Sequence, residues 1–227
     1  MTLLVDETFE STALADLGTY FIATGGGTTY PAASTLAEYS ANAYAGDKAL
    51  RWKARGGGPY SWCYSGVNIS LGSTYRSVYA RFRVCLEEWH SSWSTRGGLL
   101  WFTYGYTIFI VGHPGAANSY KPCLLTGGGG AVDGSDALSL DTWYQMDFSV
   151  VELTPTSARA SLSIDGGAII TLNANVASDA SIANVTPGYV AGEFGGNHIK
   201  RFDNLQVSDV PFEAAPAPSL AFKLAIS

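Results

Sequence analysis

Charge is scarce in this sequence. Asp, Glu, Lys and Arg together make up 14% of its 227 residues, and no cluster of Lys and Arg occurs. The densest basic stretch, Arg51-Trp52-Lys53-Ala54-Arg55, lies on a strand-like pattern rather than in a flexible arm. With a net charge of −6, the chain lacks the concentrated positive charge that neutralises phosphates, so nucleic acid is not an expected partner. Cysteine is scarce too. Cys63, Cys85 and Cys123 are irregularly spaced, form no C-x-x-C and make no zinc-like pattern with histidine. They read as small apolar residues in or near a core, and a disulfide-built domain is disfavoured. No cofactor is expected, with a structural calcium left open. His90, His113 and His198 stand apart from one another and read as solvated loop residues. The N-terminus has no basic segment followed by a long apolar run, so no signal peptide is expected and synthesis in the cytoplasm is. The apolar run 99–111 is interrupted by Gly105 and too short to cross a bilayer as a helix. A membrane is therefore not an expected partner. Helical periodicity is almost absent.

What the chain has is aromatic residues (13%), 26 glycines, and strand-like runs punctuated by Gly, Pro, Asn, Asp and Ser. These patterns predict strands at 3–9, 49–54, 75–86, 143–153, 158–164, 168–172, 189–194 and 202–207. A hairpin around Gly105 would join 99–104 to 106–111. Asp165-Gly166 between apolar runs marks another hairpin, since both residues tolerate positive φ. Alternation assigns faces. Val78, Ala80, Phe82, Val84 and Leu86 oppose Tyr79, Arg81, Arg83 and Cys85. Tyr144, Met146, Phe148 and Val150 oppose Gln145, Asp147 and Ser149. Ala160, Leu162 and Ile164 oppose Arg159, Ser161 and Ser163. One apolar and one polar face per strand is the signature of two antiparallel sheets packed together. The expectation is an all-β, two-sheet antiparallel β-sandwich over residues 1–210. A Pro/Ala-rich linker and apolar tail would occupy 211–227.

Several segments sharpen this picture. Asp141-Thr-Trp-Tyr-Gln-Met-Asp-Phe-Ser-Val resembles the T-W-Y strand of concanavalin A-like and laminin G-like jelly rolls. Leu162-Ser-Ile-Asp165-Gly166 resembles the strand and Asp-Gly hairpin that follow it, and Phe202-Asp203-Asn204-Leu205-Gln206-Val207 the closing strand. Asp6-Glu-Thr-Phe9 and Gly46-Asp-Lys-Ala-Leu-Arg-Trp52 also fit such domains. The resemblance runs in order along nearly the whole chain and implies the concanavalin A-like jelly roll. That superfamily includes lectins, glucanases, polysaccharide lyases, adhesion modules and virion proteins, so the fold alone does not assign an activity.

Catalytic spacings of that superfamily are missing. Its retaining glucanases carry Glu-x-Asp-x-x-Glu on one strand, which has no counterpart here. Glu87 and Glu88 are neighbours and would face opposite ways on a strand. Arg81-Phe-Arg83 echoes half of the Arg-x-Glu-x-Arg strand of alginate-lyase-type members, without the Glu, and Gln-x-His is absent. Gly127 to Gly130 has no Lys-Ser/Thr after it and is no phosphate cradle. No catalytic residue and no metal ligand is assigned. The expectation is a non-catalytic structural or adhesion module on a virion surface, as a capsid decoration or tail-associated protein, with glycan binding as a possible role. The alternative is a polysaccharide lyase or glycoside hydrolase of the same fold with an atypical site.

Binding chemistry has better material. Sugars are held by aromatic rings under their C–H faces and by planar polar groups on their hydroxyls. Tyr79, Arg81 and Arg83 share a strand face. Trp89 and Trp93 would flank a nearby loop and Trp101 would lie on the next hairpin. Together they are the candidate glycan-binding residues. The competing expectation is that Arg81 and Arg83 are solvated or pair with Asp147. In the tail, Leu220, Phe222, Leu224 and Ile226 alternate and would share one face of a strand. An exposed apolar stripe of that kind should dock, either on its own sandwich or on a second copy or another virion subunit.

Overall fold

The computed structural model describes residues 3–25, 37–55, 62–89, 96–102, 106–112, 120–126, 131–134, 138–175, 181–187, 190–193 and 197–213. The strands are β1 (Leu3–Glu7), β2 (Thr19–Gly25), β3 (Ala37–Ser40), β4 (Ala49–Arg55), β5 (Trp62–Tyr75), β6 (Val78–Trp89), β7 (Arg96–Phe102) and β8 (Tyr106–Gly112). They continue with β9 (Tyr120–Thr126), β10 (Ala131–Asp133), β11 (Trp143–Thr154), β12 (Ser157–Ile164), β13 (Ile170–Asn175), β14 (Ile182–Pro187), β15 (Val190–Glu193) and β16 (Asn197–Ser208). One short 3-10 turn covers Leu14–Asp16.

Among the described residues, two antiparallel sheets of eight strands form. The first runs β13-β12-β11-β6-β16-β4-β3, with β1 also on β16; the second runs β10-β9-β8-β7-β14-β5-β15, with β2 on β5. The sheets enclose one apolar core, as the alternation requires. Val78, Ala80, Phe82, Val84 and Leu86 of β6 are buried, as are Met146, Phe148 and Val150 of β11 and Ala160, Leu162 and Ile164 of β12. Opposite them lie Val67, Leu71, Leu100, Phe102 and Val185 of the second sheet. Phe102 stacks on Phe148 across the interior, with centroids 5.1 Å apart.

Some expected boundaries change. The strand expected at 75–86 is two strands: Tyr75 ends β5, Arg76 and Ser77 bend, and β6 starts at Val78. β6 also runs past the expected end at residue 86, as far as Trp89. The strand expected from residue 168 begins at Ile170, after Asp165 (φ 49°) and Gly166 (φ 72°) make the expected hairpin turn. Phe9 is not in β1. It turns the chain at φ 63°, fully buried, while the Glu7 carboxylate accepts its N–H at 2.5 Å. Cys85 lies on the polar face but is buried, because Arg201 and Trp143 flank it on the neighbouring strands. Among the described residues, Cys85 and Cys123 are free thiols, and no helix is long and apolar enough to cross a membrane. The side chains of Cys63 and His198, all of His90 and His113, and the tail residues Leu220, Phe222, Leu224 and Ile226 lie outside what the structure describes. Pro211 and Phe212, expected in the linker, pack against the first sheet.

Lys200 is fully buried on β16, facing Trp52 of β4 and Leu86 of β6 in register. Burial lowers its ammonium to about 7, from an ordinary 10.5. Below pH 7 the group is charged whether the chain is folded or not. Between pH 7 and 10.5 only the unfolded chain holds the proton, so folding gains stability as pH rises. Cys85, pushed up to about 11 by burial, works the other way above its ordinary 9.0. Urea unfolding between pH 7 and 9 should therefore show stability rising, by at most about 1.4 kcal/mol per pH unit from this group. Lys200→Met should flatten that rise. A rise unchanged in the variant would contradict this assignment.

Candidate functional site

The outward face of the first sheet is polar because every second residue of its central strands is. In register across β6, β11 and β12 lie Tyr79, Ser149 and Ser161, and one step along, Arg81, Asp147 and Ser163. Arg83 faces Gln145 of β11 and Asp203 of β16; Cys85 faces Trp143 and Arg201; Arg201 faces Arg51 of β4, and Arg51 faces Glu38 of β3.

At one end of this face the charges lock together. Glu87 accepts from Arg51 in a two-pronged pair, with Arg51 Nε 2.7 Å from Glu87 Oε2 and NH2 directed at Oε1. Arg51 NH1 donates to Glu38 Oε1 at 2.5 Å. Arg201, only 8% exposed, has Nε 3.3 Å from Glu87 Oε2, donates from NH2 to Asp141 Oδ1 at 3.3 Å and from NH1 to the Asn42 carbonyl at 3.1 Å. Farther along, Arg81 Nε donates to Asp147 Oδ1 at 2.5 Å and Gln145 Nε2 to Asp147 Oδ2 at 3.0 Å.

Two aromatic groups border the face. Tyr44, 47% exposed, meets Trp143 edge-on at 6.0 Å, and Arg83 lies over the Tyr44 ring at 4.2 Å. Tyr44 is held there by Asp203. The Asp203 carboxylate is buried and accepts the N–H of Tyr44 (2.8 Å), Ala45 (3.0 Å) and Asn204 (2.8 Å). Burial raises its pKa, and the backbone donors at Ala45, Asn204 and Tyr44 oppose that. The second group is Phe212, whose ring lies 4.8 Å from the Arg81 guanidinium. Between Phe212 and the strands is a cleft of about 210 Å³, lined by Tyr79, Arg81, Asp147, Ser149, Ser161, Ser163, Ile169, Pro211 and Phe212 and floored by Ala80 and Phe148.

Of the six glycan-binding candidates, the structure brings Tyr79, Arg81 and Arg83 onto this face. Trp89 ends β6 in the same sheet, and its side chain lies outside the description, as does all of Trp93. Trp101 is not their neighbour: its strand β7 belongs to the second sheet, where it pairs with Thr186 and Thr107. The expected Arg81–Asp147 pair is present. Arg83 instead stacks on Tyr44, and its nearest carboxylate oxygen, Asp165 Oδ1, is 3.9 Å away. Sequence reasoning missed Tyr44, Trp143 and Phe212 as members of the face. Trp143 was visible in the T-W-Y motif, whereas Tyr44 and Phe212 come from connecting segments without alternation. Among the described residues, no group of three or more His, Cys, Asp or Glu could hold a metal ion.

The two ion-pair systems differ in what removing one partner leaves behind. Glu87→Gln strips the shared carboxylate from Arg51 and from the nearly buried Arg201, and should cost about 2 kcal/mol. Asp147→Asn breaks a more solvated pair and should cost less than about 1 kcal/mol. Urea midpoints at constant m-value measure both, and equal costs would contradict this ordering.

Comparison with known proteins places the fold. No family model matches the chain, and no curated protein matches it in sequence. Solved structures do match. The cellulose induced protein Cip1 is similar at 14% identity over 93% of this chain and 100% of that one, with a TM-score of 0.60. The GH131 β-glucanase catalytic domain from Podospora anserina is similar at 13% identity over 93% and 98%, TM-score 0.59. Alginate lyase Aly36B is similar at 14% identity over 92% and 98%, TM-score 0.58. At such identities the likeness is one of fold. The chain is an antiparallel β-sandwich of the jelly-roll kind, as its sequence led one to expect.

Proposed function

We propose that this protein is a non-catalytic carbohydrate-binding module whose ligand lies across the outward face of the first sheet, in the cleft between β6, β11, β12 and Phe212. The observation that carries the reading is the make-up of that cleft. Three serine hydroxyls, an Arg–Asp pair and the Tyr79 and Phe212 rings border one small hollow. Hydroxyls and the ion pair supply donors and acceptors for sugar hydroxyls, and the rings offer apolar surface to sugar C–H faces. Two of the similar structures are named for action on β-glucan and on alginate, which supports a glycan as the ligand class. The non-catalytic part rests on sequence: the Glu-x-Asp-x-x-Glu and Gln-x-His spacings are missing. A virion-surface location and self-association through Leu220, Phe222, Leu224 and Ile226 remain part of the proposal on sequence grounds alone.

Calorimetric titration with cello-oligosaccharides, oligoglucuronates and alginate oligosaccharides tests the reading. Binding to at least one is expected, without release of reducing ends or unsaturated products. Tyr79→Ala should weaken it about tenfold, and Ser161→Leu, which fills the cleft, should abolish it, both at unchanged melting temperature. Binding untouched by either change would remove this site, and turnover would favour the lyase or hydrolase alternative.

A further inference from the structure

Most arginines on the outward face are committed to a partner: on β12 the exposed Arg159 donates Nε to Asn173 Oδ1 at 3.0 Å. Arg51, Arg81 and Arg201 each have a carboxylate oxygen within 3.3 Å. Arg83 does not. Its nearest carboxylate oxygen, Asp165 Oδ1, stands 3.9 Å away on a side chain that is 51% exposed, and that oxygen already accepts the Gln145 N–H at 2.8 Å. Such a contact is screened by water and leaves the guanidinium donors open. The other polar neighbours in register are committed elsewhere. Asp203 holds three backbone N–H groups, and the Gln145 amide donates to Asp147. Among the described residues, the Arg83 guanidinium makes no hydrogen bond.

The group is nonetheless held in place. The Arg83 guanidinium carbon lies over the Tyr44 ring, 4.2 Å from its centroid, and Tyr44 is fixed by its N–H bond to Asp203 and its edge contact with Trp143. Stacking orients the planar fork while leaving its N–H edge available. The side chain is 24% exposed, so part of it is reachable from solvent. Arg83 is also the next outward residue along β6 from Arg81, roughly 7 Å from it. A glycan seated in the cleft would reach it with an adjoining sugar.

We propose that Arg83, braced on Tyr44, takes the carboxylate of an acidic sugar, so that the face recognises uronate-containing glycans. This rests on the glycan-binding reading above and adds the chemical class of the ligand. A planar carboxylate matches the two parallel donors of the fork. Asp147 and Asp165 close by make a doubly charged phosphate a poorer occupant.

The test compares β-1,4-linked glucuronate oligomers with cello-oligomers of equal length, which differ only in the oxidation of C6. The folded protein should bind the acidic oligomer at least about tenfold more tightly at low salt, with a preference that shrinks as salt is added. Arg83→Gln should collapse the acid-to-neutral ratio towards one, and Arg83→Lys, which keeps the charge but loses the fork, should retain only part of it. Melting temperatures of the variants control for folding. A preference that survives Arg83→Gln overturns the inference. Equal binding of both oligomers by the unaltered protein, weakened by Tyr79→Ala, also overturns it while leaving the glycan-binding reading intact. Binding of neither oligomer, nor of any other glycan, defeats both.

Discussion

The buried carboxylate of Asp203 ties the closing strand to the rest of the sandwich. Asp203 sits where β16 changes register against β6, and Asn204 beside it takes φ 49°, a left-handed conformation that asparagine tolerates. The irregularity lets Phe202 on one side and Leu205 and Val207 on the other all reach the core. Without it, strict alternation would turn one set outward. The carboxylate satisfies the Asn204 N–H at the irregularity and reaches the N–H groups of Tyr44 and Ala45, 159 and 158 positions away. Glu10 fastens the same loop from the other side, accepting the N–H groups of Asp47 and Lys48 at 2.9 Å. Gly46 takes φ 73° there, a left-handed conformation that L side chains rarely adopt, and a Cβ would also press on the Glu10 carboxylate. Two carboxylates thus hold Tyr44 on the outward face, where it supports Arg83.

The outward face consequently has a graded character. At the β3–β4 side, Arg51, Glu87 and Arg201 close on one another, and leaving any one unmatched in so dry a setting is costly. At the β12 side the groups are shorter, mostly serines, and a hollow opens beneath Phe212. Between them stands Arg83, oriented by a ring and unsatisfied by hydrogen bonds among the described residues. Matched ion pairs and the groups proposed to meet a ligand share one face, and local partner geometry separates them.

Much of this was legible in the sequence. The inward sets of β6, β11 and β12 follow directly from alternation, since one apolar and one polar face leaves a single register. The Asp165-Gly166 hairpin was legible because both residues tolerate positive φ, and the Arg81–Asp147 pair was one of two outcomes that the shared face allowed. The strands β2, β3, β5, β9, β10 and β14 were not. β5 carries Gly66, Asn68, Ser70 and Gly72 among its apolar residues, and β9 contains Pro122, so neither shows a clean period of two. Sequence adjacency also misled: Trp101 lies 18 positions from Arg83 but in the opposite sheet, whereas Tyr44 lies 39 positions away and touches it. Which segments meet on a jelly-roll face depends on strand order, and local pattern carries no record of that.

The ligand site proposed for this protein is the outward face of the first sheet. Backbone amide shifts followed by NMR during titration with an oligoglucuronate test it most directly. Perturbations are expected to concentrate at residues 79–83, 145–149 and 161–163, with Tyr44 and Phe212 moving alongside and the amides of β5, β7 and β14 staying still. Perturbations centred on the second sheet, with residues 79–83 unmoved, would contradict it.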